Sequence, residues 1–431
     1  MIGVVADDIT GANDIGIMFA KNNYRTVVIG LDAIESNYTA DVIVIDTNSR
    51  LSNPDVAYER TQKATRRLVQ FGCKMFFAKV CSVFRGNIGR TFDAMLDELN
   101  EPFAPVILGF PKNGRTTVNG LHYVRGVELK ESEFFNDPVH PMKESNLQSI
   151  LQKQTNRRVA TVNWKVVAAG SKVIKDELEE LRGTTNYVIF DVRNQEDLRN
   201  IAETVKYYKV LCGSSAIAEE LPQFLKKKPK PPQRDFTGVS SAPGVLLVAG
   251  SLMPQTKRQI EYLRVLGADC LELDTVKMFQ DSDSWGAEAD MLVKHAIQKL
   301  HQDSNVMVYS SNLEESVHRT IQLGLEQGLS EFEASKRVSK SLADITSRIV
   351  MESGCRRVIV GGGETSGAVC DELRISSIEV VSEIAPGLPL SVSLNYSTMA
   401  LILKSGSFGT DDFFARAIEK IRGFGWENSH D

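Results

Sequence analysis

Two adjacent carboxylates follow an apolar stretch near the amino terminus. The run from Ile2 to Ala6 predicts a buried strand, and Asp7 and Asp8 come directly after it, ahead of Thr10. Open α/β sheets bind ligands at the carboxyl ends of their strands, so these carboxylates are candidate ligand-binding groups. All three polar side chains are also of types that cap helices, and capping of the next helix is the simpler interpretation.

Two further predicted strands end in groups that can bind an anion. The strand 41–46 leads to Arg50, and the strand 74–80 leads to a loop with Ser82, Arg85 and two glycines. Glycine lets the backbone approach a ligand closely, and arginine can bind an anion through two parallel hydrogen bonds. Arg50 can equally be a free surface side chain, and the glycines can form an ordinary turn. Three successive strand ends of this kind favour a binding site.

A glycine turn in the second half of the chain has the composition of a phosphate site. Glycines 361–363 follow the predicted strand 358–360 and precede Glu364 at the start of a helix. Such glycines let backbone N–H groups converge on a phosphate, and the helix start adds partial positive charge. The turn is not a Walker A loop, which needs Gly-Lys-Ser/Thr. It is not a dinucleotide fingerprint either, because Ser366 replaces the third glycine.

Two weaker turns occur in the same half, at Gly250-Ser251 and at Lys404-Ser405-Gly406. Three turns of this composition indicate a nucleotide site, although glycine turns without any ligand remain the alternative.

The pattern of predicted elements is α/β in both halves. Apolar strands alternate with helical segments, the first of them a short helix at 14–22, as is typical of parallel sheets flanked by helices. A charged, proline-rich run between the halves offers no apolar side chain to bury, which predicts a linker. We therefore expect an acid-binding domain at 1–228, a linker at 229–240, a second domain at 241–431, and an active site in the cleft between the two mostly parallel sheets.

Composition narrows the class of partner. The 431 residues exceed one ordinary core of about 250–300 residues, and 42% hydrophobic residues with a net charge of -5 are typical of a globular protein. The composition has no basic excess that would indicate a nucleic-acid partner. We find no leader-like segment that would indicate export, and no apolar run of about 18 residues that would indicate a membrane span. The six dispersed cysteines contain no Cys-x-x-Cys pair. We expect a cytoplasmic protein with reduced thiols and small-molecule partners, and the sequence leaves a homo-oligomer open.

Taken together and in this order, the motifs resemble those of the four-carbon acid sugar kinases. The matching stretches are 6–12, 85–89, 114–117, 137–138, 361–366, 385–387 and 404–409, and the similarity covers nearly the whole chain. The resemblance implies an amino-terminal acid-sugar domain and a carboxy-terminal ATP domain. It also implies transfer of the γ-phosphoryl group to the terminal hydroxyl of a tetronate or 3-oxo-tetronate.

The family pattern implies roles for individual residues. For the substrate these are Asp8, Arg50, Lys79, Ser82 and Arg85. For the nucleotide they are Ser251, Gly361, Gly362, Gly363, Glu364, Lys404, Ser405 and Gly406. Mg²⁺ would be held mainly by the phosphates of ATP and by water, so no protein ligand for a metal is predicted.

Two features bear on which four-carbon acid is used. Where many relatives have Asp-Ser-Thr, this chain has Cys81-Ser82-Val83, which leaves the preference open. Residues 11–14 are more similar to the threonate and erythronate kinases, so D-threonate or D-erythronate is the favoured substrate. A 3-oxo-tetronate 4-kinase is the alternative.

Phosphoryl transfer depends mainly on positioning and on neutralisation of charge. Our hypothesis is that Asp8 orients and deprotonates the attacking hydroxyl, while Arg50 and Arg85 bind the carboxylate of the substrate. A non-catalytic sensor of a sugar acid and a nucleotide would need the same loops and is the alternative from another class. A dehydrogenase is disfavoured by the missing third glycine.

Overall fold

The computed structural model describes residues 1–34, 38–137, 140–226, 228–229, 243–395 and 398–424, apart from the side chains of 282–284. The chain divides into two compact units, an amino-terminal unit, Met1–Pro231, and a carboxy-terminal unit, Pro232–Asp431. Except for Pro229, the predicted linker lies outside the described residues. The predicted linker bounds and the predicted cleft stay predictions.

The amino-terminal unit alternates strands and helices. Its strands are β1 (Ile2–Ala6), β2 (Thr26–Gly30), β3 (Val42–Asp46), β4 (Met75–Lys79), β5 (Ala104–Ile107), β6 (Arg115–Val118), β7 (Leu121–Val124), β8 (Val127–Glu128), β9 (Val159–Val162), β10 (Tyr187–Phe190) and β11 (Val210–Gly213). Its α-helices are α1 (Ile9–Ala20), α2 (Pro54–Gln70), α3 (Ile88–Leu99), α4 (Leu147–Gln152), α5 (Trp164–Ala168), α6 (Ser171–Leu181), α7 (Gln195–Val205) and α8 (Ile217–Glu220). Short 3₁₀ helices cover Pro111–Asn113, Leu129–Glu131, Glu133–Asn136 and Leu221–Phe224.

Eight of these strands form a parallel sheet in the order β2-β3-β1-β4-β11-β5-β10-β9. They consist almost entirely of buried apolar residues, as expected for parallel strands covered on both faces. Ala6, the last residue of β1, is level with Asp46 of β3 and with Lys79 of β4. The residues that follow these three strands therefore start at the same edge of the sheet. A separate antiparallel sheet has the order β6-β7-β8.

The carboxy-terminal unit is also α/β. Its strands are β12 (Val245–Ala249), β13 (Asp269–Leu273), β14 (Asn305–Ser310), β15 (Arg357–Gly361), β16 (Ser377–Ala385), β17 (Leu388–Ser393) and β18 (Ala400–Lys404). Its helices are α9 (Pro254–Val265), α10 (Thr275–Gln280), α11 (Ser282–His301), α12 (Glu314–Glu326), α13 (Glu331–Ser353), α14 (Gly363–Glu372) and α15 (Phe413–Gly423).

The strand order in this unit is β13-β14-β12-β15-β18-β17-β16. The first five strands in that order are parallel, and β17 and β16 are added as an antiparallel pair. The α/β class with mostly parallel sheets is thus confirmed. Along α13, the helical spacing of Val338, Leu342, Ile345 and Ile349 predicts a core face; the last three are buried, and Val338 is partly buried.

Some elements differ from the prediction. The first helix begins at Ile9 and ends at Ala20 instead of covering 14–22, because Asp8 caps it at the earlier position. β13, β16 and β17 were not predicted from the sequence. None of the three has a continuous apolar sequence. β13 and β16 contain acidic residues and are only partly buried, and β17 contains Pro389, which is unusual within a sheet.

Candidate functional site

Asp8 caps α1 and also belongs to a charged cluster. Its Oδ1 accepts a hydrogen bond of 2.6 Å from the Gly11 N–H, and its Oδ2 accepts one of 3.1 Å from the Thr10 hydroxyl. The capping interpretation is therefore correct for Asp8. Capping leaves Oδ2 able to receive further donors, because a carboxylate oxygen has two lone pairs.

Arg50 joins both carboxylates at the end of β1. Its Nε donates to Asp7 Oδ2 at 3.0 Å, its Nη2 donates to Asp7 Oδ1 at 2.6 Å, and its Nη1 donates to Asp8 Oδ2. The Asp7 carbonyl also accepts the N–H groups of Ser49 and Arg50. The interpretation of Arg50 as a free surface side chain is wrong. Burial alone would lower its pKa, but Asp7 and Asp8 hold that pKa well above its ordinary value.

The Asp8 carboxyl is held in its ionised form. Burial would raise its pKa, but the positive charges of Arg50 and Lys79, with the hydrogen bonds from Gly11 and Thr10, bring the pKa below its ordinary value. Near neutral pH the side chain is therefore a carboxylate, which can accept a proton or a hydrogen bond.

Lys79 is the last residue of β4, and its side chain is buried. Its Nζ lies 3.4 Å from Asp14 Oδ2 and donates to the Val80 carbonyl at 3.2 Å. A Cβ at Gly11 would lie 2.7 Å from Asp8 Oδ1 and 3.0 Å from Lys79 Nζ. Glycine at position 11 therefore leaves room for the carboxylate and the ammonium to border the same small space.

Arg85 lies in the loop after β4 and is held by other groups. Its Nη1 donates to Asp137 Oδ2 at 2.5 Å, its guanidinium lies 5.1 Å from the centre of the Phe134 ring, and its Nε donates to Cys81 Sγ at 3.5 Å. Burial would raise the pKa of the Cys81 thiol, but the charges of Arg85 and Arg50 bring it below its ordinary value. Both arginines therefore act on one thiol.

The same loop carries Ser82, which is buried. His140 is connected by a hydrogen bond to Asp137, the partner of Arg85. The backbone N–H of His140 donates to Asp137 Oδ1 at 2.8 Å. Burial lowers the pKa of His140, which favours its neutral form. The structure thus joins Asp8 to Arg50 by a hydrogen bond and places Lys79 beside Asp8 at Gly11. Ser82 and Arg85 lie in the loop that follows Lys79.

Three glycine turns of the carboxy-terminal unit lie at one edge of its sheet. Ala249 at the end of β12 is level with Gly361 of β15, and Gly361 is level with Lys404 of β18. The Gly362 N–H donates to the Lys404 carbonyl at 2.8 Å, and the Gly250 N–H donates to the Gly361 carbonyl at 3.2 Å. The sequence placed these turns after predicted strands, and the register of parallel strands brings them together.

The turn at Gly406 lies against Ser251. A Cβ at position 406 would lie only 2.1 Å from Ser251 Oγ and 3.0 Å from Ser251 Cβ, so no larger residue fits without a shift. At the start of α14, Glu364 Oε1 and Ser366 Oγ are buried and have no hydrogen-bond partner among the described residues. Burial raises the pKa of Glu364. A tight glycine turn, a helix start and the unpartnered Ser366 hydroxyl, which can donate a hydrogen bond, fit a nucleotide phosphate. An ionised Glu364 carboxylate only accepts hydrogen bonds, so it fits a donor group or a cation of the nucleotide.

Lys404 is fully buried behind this turn. Its Nζ donates to Thr256 Oγ1 at 3.1 Å, to the Ser405 carbonyl at 3.0 Å and to the Gly406 carbonyl at 3.1 Å. Burial lowers its pKa to about 7. All three donors of an ammonium group are thus used to hold α9 and the turn together.

The described residues contain no group of three or more His, Cys, Asp and Glu side chains that could hold a metal. Within the same residues, no helix is long and apolar enough to cross a membrane. The six cysteines are free thiols, as predicted.

Sequence reasoning missed Asp14, Ser215 and Thr256 as neighbours of the predicted residues. Asp14 had one signal: it is a charged residue in a helix whose other residues are nearly all apolar or small, and it is buried. Ser215 and Thr256 had none, because their neighbours come from distant parts of the chain.

The fold and these sites define an α/β protein with a charged ligand site in one unit and phosphate-type turns in the other. Two family models match the chain, one for a sugar-binding N-terminal domain at residues 2–221 and one for a nucleotide-binding C-terminal domain at residues 246–414. The chain is 31% identical to a 3-oxo-tetronate kinase of Burkholderia multivorans over 435 residues, which covers 98% of each chain.

Solved structures agree with this match. A Haemophilus influenzae protein, HI1011, is 30% identical over 97% of this chain and 100% of its own, with a TM-score of 0.69. A Salmonella typhimurium LT2 protein, provisionally described as a tRNA synthase, is 27% identical over 96% of this chain and 98% of its own, with a TM-score of 0.79. This chain belongs to the four-carbon acid sugar kinase family and is an ATP-dependent sugar acid kinase.

Proposed function

We propose that the chain transfers the γ-phosphoryl group of ATP to the 4-hydroxyl of 3-oxo-tetronate. The observation that carries the proposal is the match of 31% identity over 98% of both chains to kinases named for that substrate. These names favour the alternative over the D-threonate or D-erythronate preference expected from residues 11–14. The two kinds of acid differ at C3, which is a carbonyl in the one and a hydroxyl-bearing carbon in the other.

We assign the role of general base to Asp8. Its carboxylate is ionised near neutral pH, lies at the carboxyl end of β1 and is kept in one orientation by the Gly11 N–H and by Arg50. A base of this kind typically contributes about 10²- to 10⁴-fold to the rate.

The carboxylate of the substrate is assigned to the cations next to Asp8. The hydrogen bonds to Asp7 and Asp8 use three of the five N–H donors of the Arg50 guanidinium, so the group can still bind an anion. Arg85 is also paired, with Asp137, and Lys79 with Asp14. Both pairings keep a cation in place without removing its capacity for further hydrogen bonds.

The nucleotide is assigned to the three turns of the carboxy-terminal unit. Ser251, residues 361–364, and the pair Ser405 and Gly406 would line its phosphates. The N–H groups of Gly363 and Glu364, in the first turn of α14, have no intrahelical partner and offer donors, and the glycines let the backbone approach the ligand. ATP would supply the phosphoryl group, and Mg²⁺ bound to its phosphates and to water would neutralise their charge. Lys404 acts behind the turn in this assignment, because its ammonium is bonded to Thr256 and to two carbonyls.

The test is a coupled assay of ADP release by the full chain with ATP, Mg²⁺ and one acid at a time. The acids are 3-oxo-tetronate, D-threonate, L-threonate and D-erythronate, and mass spectrometry identifies the phosphorylated product. We expect kcat/KM for 3-oxo-tetronate to exceed the others by about tenfold or more, because C3 is planar in that acid and tetrahedral in the others, which changes where the reacting 4-hydroxyl lies relative to the base. A preference for threonate or erythronate would overturn the substrate. Binding of both ligands without ADP release would favour the sensor.

A further inference from the structure

Asp14 is a buried carboxylate of α1 that contacts two other elements of the amino-terminal unit. Its Oδ1 accepts a hydrogen bond of 2.7 Å from Ser215 Oγ, just after β11, and its Oδ2 lies 3.4 Å from Lys79 Nζ at the end of β4. At most 4% of each of these three residues is exposed. The family resemblance implies a role for Lys79 but none for Asp14 or Ser215.

Lys79 has carboxylates on two sides. One is Asp14, and the other is Asp8, whose Oδ1 borders the same space beside Gly11 as the ammonium does. The charge of Lys79 is among the causes that lower the pKa of Asp8. A lysine ammonium is a point charge on a flexible stem, so its position depends on the charges around it. Without Asp14, the Asp8 carboxylate beside Gly11 would remain as an opposite charge that acts on Lys79.

Asp14 is not explained by stability alone. Burial raises the pKa of this carboxyl more than Lys79 and Ser215 lower it, and the charge of Asp8 raises it further. An ionised Asp14 is therefore costly at this position, and a buried ion pair is weak evidence for a stabilising role. An asparagine would have the same shape and would still accept the hydrogen bond from Ser215.

We propose that Asp14 is a positioning residue that holds the Lys79 ammonium away from Asp8, and that Ser215 orients Asp14. This inference rests on the proposed function, because it concerns the base and the substrate-binding cation of that reaction. Asp14 keeps Lys79 free to bind the acid, and it leaves the Asp8 carboxylate available to the attacking hydroxyl.

The test is a double-mutant cycle of Asp14→Asn and Lys79→Met in the full chain. We expect Asp14→Asn to lower kcat/KM for the sugar acid by about tenfold or more while the KM for ATP stays unchanged. In the Lys79→Met background, Asp14→Asn should change kcat/KM by less than about twofold, because the group that it positions is absent. Because Lys79→Met can abolish turnover, calorimetric binding of the acid to all four proteins is measured as well. The same non-additivity is expected in Kd.

Asp93→Asn is the matched control. Asp93 is a carboxyl of the same unit whose pKa is also raised by burial, and it accepts hydrogen bonds of 2.7 Å from Tyr187 and 2.8 Å from Thr155. It lies within α3, so we expect it to change the thermal midpoint and leave kcat/KM intact.

Two results would overturn the positioning role: an equal effect of Asp14→Asn with and without Lys79, or a wild-type kcat/KM in the Asp14→Asn single variant. Neither result would contradict the proposed function. Failure of the wild-type chain to bind or phosphorylate any of the four acids would overturn the proposed function first, and the inference with it. The two failures are therefore distinguishable.

Discussion

Asp7 and Arg50 are 43 positions apart in the chain and are joined by two parallel hydrogen bonds, from Nε to Oδ2 at 3.0 Å and from Nη2 to Oδ1 at 2.6 Å. This bidentate pair fixes the plane of the guanidinium, and its remaining arm, Nη1, reaches Asp8. Asp7 therefore determines how Arg50 meets the proposed base.

Arg50→Lys keeps the positive charge but removes the planar guanidinium that makes two parallel hydrogen bonds with Asp7. Loss of a charge-assisted bond corresponds to about 1.5 to 3 kcal/mol, which is about 10- to 150-fold in kcat/KM for the sugar acid. The control is Arg66→Lys, because Arg66 makes the same two-bond contact with Glu98 in an exposed position. Steady-state kinetics should show the loss only for Arg50, and equal kcat/KM in both variants would contradict the role of the two parallel hydrogen bonds.

Asp8→Asn should separate chemistry from capping. Asparagine is as good a helix cap as aspartate, so α1 keeps its start. The thermal midpoint should still fall, because the buried cations Arg50 and Lys79 lose a carboxylate that compensates their charge. Turnover should fall by about 10²- to 10⁴-fold, because an amide cannot accept the proton.

Asp274→Asn is the control for Asp8→Asn. Asp274 caps α10 through the Lys277 N–H at 3.0 Å, and it should tolerate the change with full activity. Near-normal turnover of Asp8→Asn in a single-turnover assay would remove Asp8 from the mechanism.

Gly406→Ala should weaken nucleotide binding. The added Cβ would lie 2.1 Å from Ser251 Oγ and 3.0 Å from Ser251 Cβ, so the Ser251 hydroxyl must rotate away or the turn must move, and either change alters the proposed phosphate-binding groups. We expect the KM for ATP to rise by about tenfold or more with a smaller change in the KM for the acid. Gly286→Ala in α11 is the control, because nothing lies within 4 Å of that position and alanine favours the helix. An unchanged KM for ATP in Gly406→Ala would contradict a ligand role for the turn.

Lys404→Met should change how stability depends on pH. The pKa of Lys404 is about 7 in the folded chain, against about 10.4 for an ordinary lysine. Between these values the unfolded chain binds the proton and the folded chain does not, so this group makes stability rise as pH rises through about 7.

The variant lacks that gain, and its thermal midpoint should therefore fall further below wild type at pH 9 than at pH 6. Differential scanning fluorimetry at the two pH values measures the difference, and Lys294→Met, at an exposed position of α11, is the control. A deficit that is the same at both pH values would be inconsistent with a buried ammonium that titrates near neutrality.

Much of the site could be predicted from local sequence. β1, β3, β4 and β15 are continuous apolar runs, and each is followed by polar or glycine residues, so both the strands and their functional ends are visible in the sequence. Asp8, Arg50 and Lys79 were named on that basis together with the family resemblance. The turn at glycines 361–363 was recognised because its composition has a physical meaning for phosphate binding.

Other parts depend on the order of strands, which no local pattern encodes. Asp14 meets Ser215 because β11 lies beside β4 in the sheet, although 201 positions separate the two residues. Lys404 carries a positive charge in the sequence, and only its burial against Thr256 turns its ammonium inward and lowers its pKa.

By itself, the sequence determined the α/β class, the polar loops after the amino-terminal strands, the glycine turns of the second half and the kinase resemblance. Strand ends, glycine turns and the order of motifs can all be read along the chain. Only the tertiary structure decided which charges face each other. Asp7 accepts two parallel hydrogen bonds from Arg50, and Asp14 pairs with Lys79. Both of these cations also act on the Asp8 carboxylate. The reason is physical: pairing of charges depends on distances of a few ångströms across neighbouring strands, and the folded sheet alone sets those distances.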